Sequence, residues 1–229
     1  MNIIVNGGSR GIGREIVKQF AANEINRIIV TGRNMSLLEQ LSQNHRNVVP
    51  LFLDLSAFDS TSAGFYEFVS SRFEDIDILI SSAGLLISKK FEDFSADESR
   101  KIMETNFFGP ASVIRVLKPL MKAGTHIINI SSMGGFQGSS KYNGLSYYSA
   151  SKAAIACLTE CLAGEFKDTG IKVNCLALGS VQTEMLNEAF PGYVAPVTAE
   201  EMGKFISDFA LNGHKVFNGK ILPVAVTNP

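Results

Sequence analysis

Short aliphatic runs alternate along the chain with stretches whose apolar positions recur every three or four residues, the signature of strands alternating with amphipathic helices. Ile3-Ile4-Val5 is a buried-strand pattern that stops at Asn6-Gly7-Gly8, and from Gly11 to Ala22 the residues Ile12, Ile16, Val17 and Phe20 mark one helical face. Arg27–Thr31 predicts a second strand closed by Gly32, and Met35, Leu37, Leu38 and Leu41 stripe a short helix. Val48–Leu53 reads as the third strand, Phe65–Phe73 as the core of the third helix, and Ile76–Ile80 as the fourth strand, closed by Ser81-Ser82-Ala83-Gly84. A long helix is predicted over about Asp97–Met121, strand five at Thr125–Ile130, and another long helix from Tyr148 to about Lys167. Lys172–Leu176 is strand six; after an irregular patch come a last helix, Ala199–Ala210, and a last strand, Lys220–Val226.

Near-continuous Ile, Val and Leu in strands that alternate with helices imply a doubly wound α/β domain: a parallel sheet of about seven strands with helices on both faces. No repeat, low-complexity tract or Pro/Gly/Ser linker divides it, so residues 1–229 read as one domain. Ligands of such sheets bind beyond the carboxyl ends of the strands. Candidate chemistry is therefore expected after Val5, Val30, Leu53, Ile80, Ile130 and Leu176.

Composition narrows the classes. A hydrophobic content of 45% against 19% charged residues is too apolar for a disordered chain. With 21 basic and 22 acidic residues, a net charge of −1 gives no broad electrostatic grip on nucleic acid or an anionic membrane. No apolar run approaches a membrane span, and Met1–Val5 is too short for a signal sequence. The odd count of three Cys points to reduced thiols, so a soluble, cytoplasmic protein is expected.

After strand one, Asn6-Gly7-Gly8-Ser9-Arg10-Gly11-Ile12-Gly13 opens directly into a helix. Glycines permit a sharp turn and close backbone approach to a diphosphate, and the helix start offers free N–H groups. The spacing Gly7-x3-Gly11-x-Gly13 resembles the Thr-Gly-x3-Gly-x-Gly fingerprint of the short-chain dehydrogenases/reductases. That resemblance implies a Rossmann domain serving both cofactor and substrate. In such units an acid at the end of strand two holds a ribose 2′-hydroxyl, whereas Arg accommodates a 2′-phosphate. Strand two ends Val30-Thr31-Gly32-Arg33, with Gly32 where the family's NAD-preferring members carry the acid. Arg33 and Arg10 could both fork onto a phosphate, so NADP(H) is expected over NAD(H). Asp54, followed by Leu55, resembles the family's Asp near the adenine amino group, with a helix N-terminal acid as the alternative. Ser81-Ser82-Ala83-Gly84 stands where the family usually has Asn-Asn-Ala-Gly, which implies that Ser82, Ala83 and Gly84 pack beside the cofactor.

Tyr148-Ser149-Ala150-Ser151-Lys152 carries the sharpest chemistry. Residues four apart share a helical face, and an ammonium near a tyrosine favours phenolate, so the pair could exchange a proton with a carbonyl oxygen. The spacing matches the family's Tyr-x3-Lys, which implies Tyr148 as general acid/base and Lys152 as the group that tunes it and holds the nicotinamide ribose. Strand five ends Asn129-Ile130-Ser131-Ser132 and resembles the family's Asn-x-Ser-Ser segment. Ser132 aligns with its catalytic serine, and Ser131 is the alternative. Asn106, before Phe107-Phe108, resembles the Asn on the family's fourth helix, implied in a proton relay. Gly179-Ser180-Val181-Gln182-Thr183 resembles the stretch after strand six that holds the nicotinamide carboxamide through Val181 and Thr183, with Leu178 replacing the usual proline.

The family reading implies hydride transfer between NADP(H) and a small carbonyl or secondary alcohol substrate, and a homodimer or homotetramer built through the last helices and strand. The end Ala225–Pro229 departs from the family's acidic, glycine-rich close. Residues 180–198, with Met185, Leu186, Phe190, Pro191, Tyr193 and Val194, are expected to form a substrate lid faced by Phe136 and Tyr142, suiting a ketone, acyl chain or ring. The usual guess from the family, a 3-oxoacyl thioester on carrier protein, has no clear basic docking patch here to support it. A non-catalytic NADP(H) sensor is the alternative, and an epimerase would need a larger substrate-binding part. Cys157 and Cys161 read as buried small apolar residues, Glu92–Lys101 as a solvated helix start, and His45, His126 and His214 as scattered, with no metal site among them.

Overall fold

The computed structural model describes residues 1–226. Ile3, Ile4 and Val5, like Ile28, Ile29 and Val30, are fully buried, because alternate side chains enter opposite faces of one sheet and helices cover both. The strands are β1 (Asn2–Asn6), β2 (Arg27–Gly32), β3 (Val48–Phe52), β4 (Ile76–Ser81), β5 (Met121–Ser132), β6 (Lys172–Leu178), β7 (Val181–Gln182), β8 (Val197–Thr198) and β9 (Ile221–Val224). Seven of them pair in parallel in the order β3-β2-β1-β4-β5-β6-β9, while β7 and β8 pair with each other. The helices are α1 (Gly11–Ala21), α2 (Met35–Asn44), α3 (Ser62–Ser70), α4 (Ala96–Met103), α5 (Gly109–Leu117), α6 (Ser146–Glu165), α7 (Glu184–Ala189) and α8 (Ala199–Asn212). One core layer joins Ile3, Val5 and Val30 to α1, α2 and α8; the other joins Ile4, Ile29 and Leu79 to α3, α5 and α6. The sheet and its two helical layers are the doubly wound arrangement expected, and β1, flanked by β2 and β4, is its switch point.

Several elements differ from the pattern read in the sequence. The long helix over Asp97–Met121 is broken into α4, a π-helical turn at Glu104–Phe108 and α5, and ends in a 3-10 turn at Lys118–Leu120. Pro110 lacks the N–H that would continue the α-helical ladder back to Asn106, and Pro119 stops the second half. β5 begins four residues early: Met121 pairs with Ile76, and after an irregularity His126 pairs with Ile78. The patch at 180–198 is ordered into β7, α7 and β8. Cys157 and Cys161 are exposed, not buried, because α6 turns Lys152, Ile155, Ala156, Thr159 and Ala163 inward and puts the two thiols on its other side. His126 and His214, far apart in sequence, have ring centres 5.4 Å apart. Among the described residues no helix is long and apolar enough to cross a membrane. Of the atypical end Ala225–Pro229, residues 227–229 lie outside the described ones.

Candidate active site

β1 hands over to α1 through a turn that leaves no room for side chains. Gly7 adopts φ +87°, and the N–H groups of Gly7 and Gly8 donate to the Thr31 carbonyl at 2.9 and 3.0 Å. A Cβ on Gly7 would lie 2.5 Å from the Ala83 backbone, and one on Gly13 2.2 Å from the Gly7 carbonyl oxygen. Gly11, at φ +52°, completes the bend. Arg10 precedes α1 in an extended conformation without a side-chain cap, and no acid sits in the first turn. By contrast, Asn34 caps α2 by accepting from the Leu37 N–H at 3.1 Å. The first N–H groups of α1 therefore keep their partial positive charge for an anion.

Beneath the turn, Asn6 and Ser81 are buried at the ends of adjacent strands. Asn6 Oδ1 accepts from Thr31 Oγ at 2.9 Å, but Asn6 Nδ2 and Ser81 Oγ find no partner among the described residues. A cradle that a single Cβ would fill, an uncapped helix start and two orphaned polar atoms fit the diphosphate of a dinucleotide. At the rim, Ser9 packs beside Gly32, and Ile12 leans on the core. Arg33 is exposed and makes no ion pair among the described residues, whereas Arg10 Nη1 lies 4.0 Å from Glu188 on α7.

The second cluster forms where β5 and α6 meet. The Ser132 hydroxyl lies near enough to the Tyr148 phenol to oppose the rise in its pKa, and it accepts from the Gly134 N–H at 3.1 Å. Ser131 is turned away and buried, donating to the Lys152 carbonyl at 2.7 Å, so it is Ser132 that the fold brings to Tyr148. Lys152 Nζ donates to the Ile130 carbonyl at 2.9 Å and stands 5.9 Å from the centre of the Tyr148 ring. Burial holds Lys152 down at about 8, the nearby Cys175 opposing it. The expected lowering of Tyr148 is not found in the protein alone. Burial pushes its phenol above the ordinary 10, with only the nearby Ser132 hydroxyl working the other way, because the Lys152 ammonium is directed at Ile130.

Asn106 occupies the π-helical turn rather than a regular helix. It grips the backbone after β4 from both sides: Oδ1 accepts from the Leu85 N–H at 2.7 Å, and Nδ2 donates to the Leu85 carbonyl and to Ser151 Oγ, both at 2.9 Å. A Cβ on Gly84 would lie 3.5 Å from Lys152 Nζ and 3.7 Å from Asn106 Oδ1, so the strip Ser82-Ala83-Gly84 faces both clusters. Gly179 N–H donates to the Val224 carbonyl at 2.9 Å, Val181 is buried in β7, and Thr183 caps α7 by accepting from the Leu186 N–H at 3.2 Å. Two predicted residues are otherwise engaged. Asp54 Oδ1 accepts from Ser56 N–H and Oγ at 3.0 and 2.8 Å, capping a 3-10 turn in the alternative role of a helix-start acid. The Leu55 side chain is buried against α5, which leaves only its backbone for a ligand.

Sequence reasoning missed Ile130 and Ser151, which fix Lys152 and Asn106 through groups that carry no motif. It also passed over the aromatic contacts of Tyr147. That ring stacks on Phe91 at 5.6 Å and meets Phe94 edge-on at 4.9 Å, tying the segment after β4 to the start of α6.

A short chain dehydrogenase family model matches residues 1–193. The chain is 34% identical over 195 residues to mouse dehydrogenase/reductase SDR family member 7B, covering 80% of this chain but 58% of the mouse protein. It is 32% identical over 238 residues to the 3-oxoacyl-(acyl-carrier-protein) reductase of Chlamydia trachomatis, covering 96% and 94% of the two chains. In fold it resembles a short chain dehydrogenase from Burkholderia cenocepacia J2315 in complex with NADP (TM-score 0.84, 23% identity, 97% and 95% covered). It also resembles a 3-ketoacyl-(acyl-carrier-protein) reductase from Brucella melitensis complexed with NADH (TM-score 0.87, 20% identity, 98% and 96% covered).

Proposed function

The chain belongs to the short-chain dehydrogenase/reductase family, oxidoreductases that bind a nicotinamide cofactor and act on small molecules, and on that premise we propose that it is an NADP(H)-dependent carbonyl reductase with Tyr148 as general acid. The observation that carries this reading is the approach of the Ser132 hydroxyl to the Tyr148 phenol, with Lys152 behind them and the side-chain-free turn opposite.

The bound nicotinamide supplies the hydride. Gly7, Ser9, Gly11, Ile12, Gly13 and the start of α1 would hold the diphosphate, Arg10 and Arg33 the 2′-phosphate, and Asp54 with the Leu55 backbone the adenine side. Ser82, Ala83 and Gly84 would line the cofactor beside the turn, and Gly179, Val181 and Thr183 would hold its carboxamide. Tyr148 donates its phenolic proton to the substrate's carbonyl oxygen, and Ser132 donates a second hydrogen bond to the same atom. The Lys152 ammonium stabilises the phenolate left behind, and Asn106 orders the path by which that proton is replaced. In the protein alone the phenol is held neutral by burial, the form a general acid needs.

The Arg pair, with no acid at the end of β2, supports NADP(H). The structural relatives named above include one NADP and one NADH complex, so the preference rests on this chain's own residues. The substrate panel begins with simple ketones and 3-oxoacyl esters, the latter chosen for the chlamydial relative. Exposed Phe205 and Leu211 on α8, beside edge strand β9, support assembly as a homodimer or homotetramer, which light scattering would measure.

The test is turnover and binding in wild type and Tyr148→Phe. NADPH, followed by its own emission in a chain without Trp, should bind both within about two-fold. Turnover should fall by about 10²–10⁴ in the variant, the usual contribution of a general acid. Equal turnover in both would remove Tyr148 from the chemistry, and binding without turnover on any panel member would favour a sensor.

A further inference from the structure

α7 carries two acids, Glu184 and Glu188, four residues apart on one helical face, and that face is turned to the glycine turn. Arg14 Nη1 lies 3.4 Å from Glu184, and Arg10 Nη1 lies 4.0 Å from Glu188. The two contacts differ in kind. Arg14 is also held by the buried Glu15 at 3.0 Å, and Glu15 in turn by Lys18 at 3.0 Å, so this end of α7 docks on a network built into α1. The Thr183 methyl adds to that docking, lying 3.3 Å from where a Cβ on Gly11 would stand. The Arg10–Glu188 pair is longer and lies in solvent, with the two side chains 53% and 74% exposed.

We propose that Glu188 is a latch that competes with the cofactor's 2′-phosphate for Arg10, so that a phosphorylated dinucleotide frees the far end of α7 and an unphosphorylated one does not. The inference rests on the NADP(H) reading above. A phosphate monoester brings close to two negative charges and a bidentate match to a guanidinium, against one carboxylate oxygen at the limit of ion-pair distance. Once phosphate sits on Arg10, Glu188 faces a like charge and moves off, while Arg14–Glu184 and the Thr183 cap remain as the hinge. Glu188 is thereby a selectivity residue: it weakens the 2′-phosphorylated cofactor by occupying its arginine, and it couples the identity of the cofactor to the position of the segment over the cleft.

The probes are 2′,5′-ADP and, as the unphosphorylated control, 5′-ADP, titrated calorimetrically into wild type, Glu188→Gln, Arg10→Ala, Arg33→Ala and Glu24→Gln. The last removes an exposed acid at the far end of α1. Glu188→Gln should bind 2′,5′-ADP about two- to five-fold tighter than wild type, the size an exposed ion pair carries, with 5′-ADP unchanged and the gain lost in about 0.5 M salt. In parallel, chymotryptic cleavage after Leu186 or Tyr193 should accelerate when wild type binds 2′,5′-ADP, and should be fast without ligand in Glu188→Gln. If Arg10→Ala weakens 2′,5′-ADP while Glu188→Gln matches wild type in both assays, or Glu24→Gln gains as much as Glu188→Gln, the latch is overturned and the cofactor reading stands. If Arg10→Ala and Arg33→Ala both leave the preference for 2′,5′-ADP unchanged, the cofactor reading itself falls and the latch with it.

Discussion

Arg33, next to Gly32 at the end of β2, is exposed and makes no ion pair among the described residues, while Arg10 is shared with Glu188. The free guanidinium is the one that costs nothing to recruit, so it should dominate the choice of cofactor. Arg33→Asp places a like charge against a 2′-phosphate and an acceptor against a 2′-hydroxyl. The ratio of kcat/KM for NADPH over NADH should fall at least about tenfold, which corresponds to roughly 1.4 kcal/mol. An unchanged ratio would mean that the phosphate is read elsewhere. At the same scale, the resemblance already favours Ser132 over Ser131, and the physical reason lies in strand alternation, which sends one hydroxyl to the α6 backbone and the other towards Tyr148.

Among the elements, the glycines sort by what surrounds them rather than by how often they occur. On Gly13, in the first turn of α1, any Cβ meets the Gly7 carbonyl, a backbone atom that cannot give way, so Gly13→Ala should lower the melting temperature and abolish dinucleotide binding together. Gly64, in α3, is exposed, and nothing lies within 4 Å of where its Cβ would stand. There, Gly64→Ala should stabilise the fold by about 0.5–1 kcal/mol, the helix propensity gained, with binding untouched. Thermal melts with and without NADPH separate the two effects. The π-helical turn at Glu104–Phe108 is the other element-scale device: by widening the helix at Pro110 it carries Asn106 to the Leu85 backbone and Ser151, a reach that the apolar periodicity alone does not announce.

At the level of the whole molecule, His126 ties the sheet to the C-terminal segment. Its Nδ1–H donates to the Ala210 carbonyl at 3.0 Å, and its Nε2 accepts from Asn174 Nδ2 at 3.0 Å, an arrangement that only the neutral ring satisfies. Asn174 also donates to the Phe217 carbonyl and accepts from the Lys220 N–H, so β5, β6, α8 and the run into β9 meet there. Burial, the principal cause, holds His126 down at about 4 from an ordinary 6.5. Because the folded pKa lies below the unfolded one, the unfolded chain binds the extra proton first as pH falls. Stability from this group is full above about 6.5 and is lost progressively between 6.5 and 4, by about 3 kcal/mol at most. Melting temperature should therefore be flat above pH 6.5 and decline below it, and His126→Gln should flatten that decline even if it lowers the plateau. An equal slope in both proteins would place the acid sensitivity elsewhere.

The strands, the parallel character of the sheet and the glycine turn were legible in the sequence, because buried β-branched runs and side-chain-free turns follow from local sterics and hydrophobic periodicity, which the chain writes out residue by residue. The Tyr148–Lys152 spacing was legible for the same reason: four residues on a helix share a face wherever the helix lies. What the chain does not write out is which groups meet across distances of tens of residues. Only the tertiary structure sent the Ser131 hydroxyl to the Lys152 carbonyl and the Lys152 ammonium to the Ile130 carbonyl, turned Cys157 and Cys161 outward, and brought His126 to His214 and Glu188 to Arg10. Each of these depends on the relative placement of two elements, which is set by core packing summed over the whole molecule and leaves no periodic trace at the residues concerned.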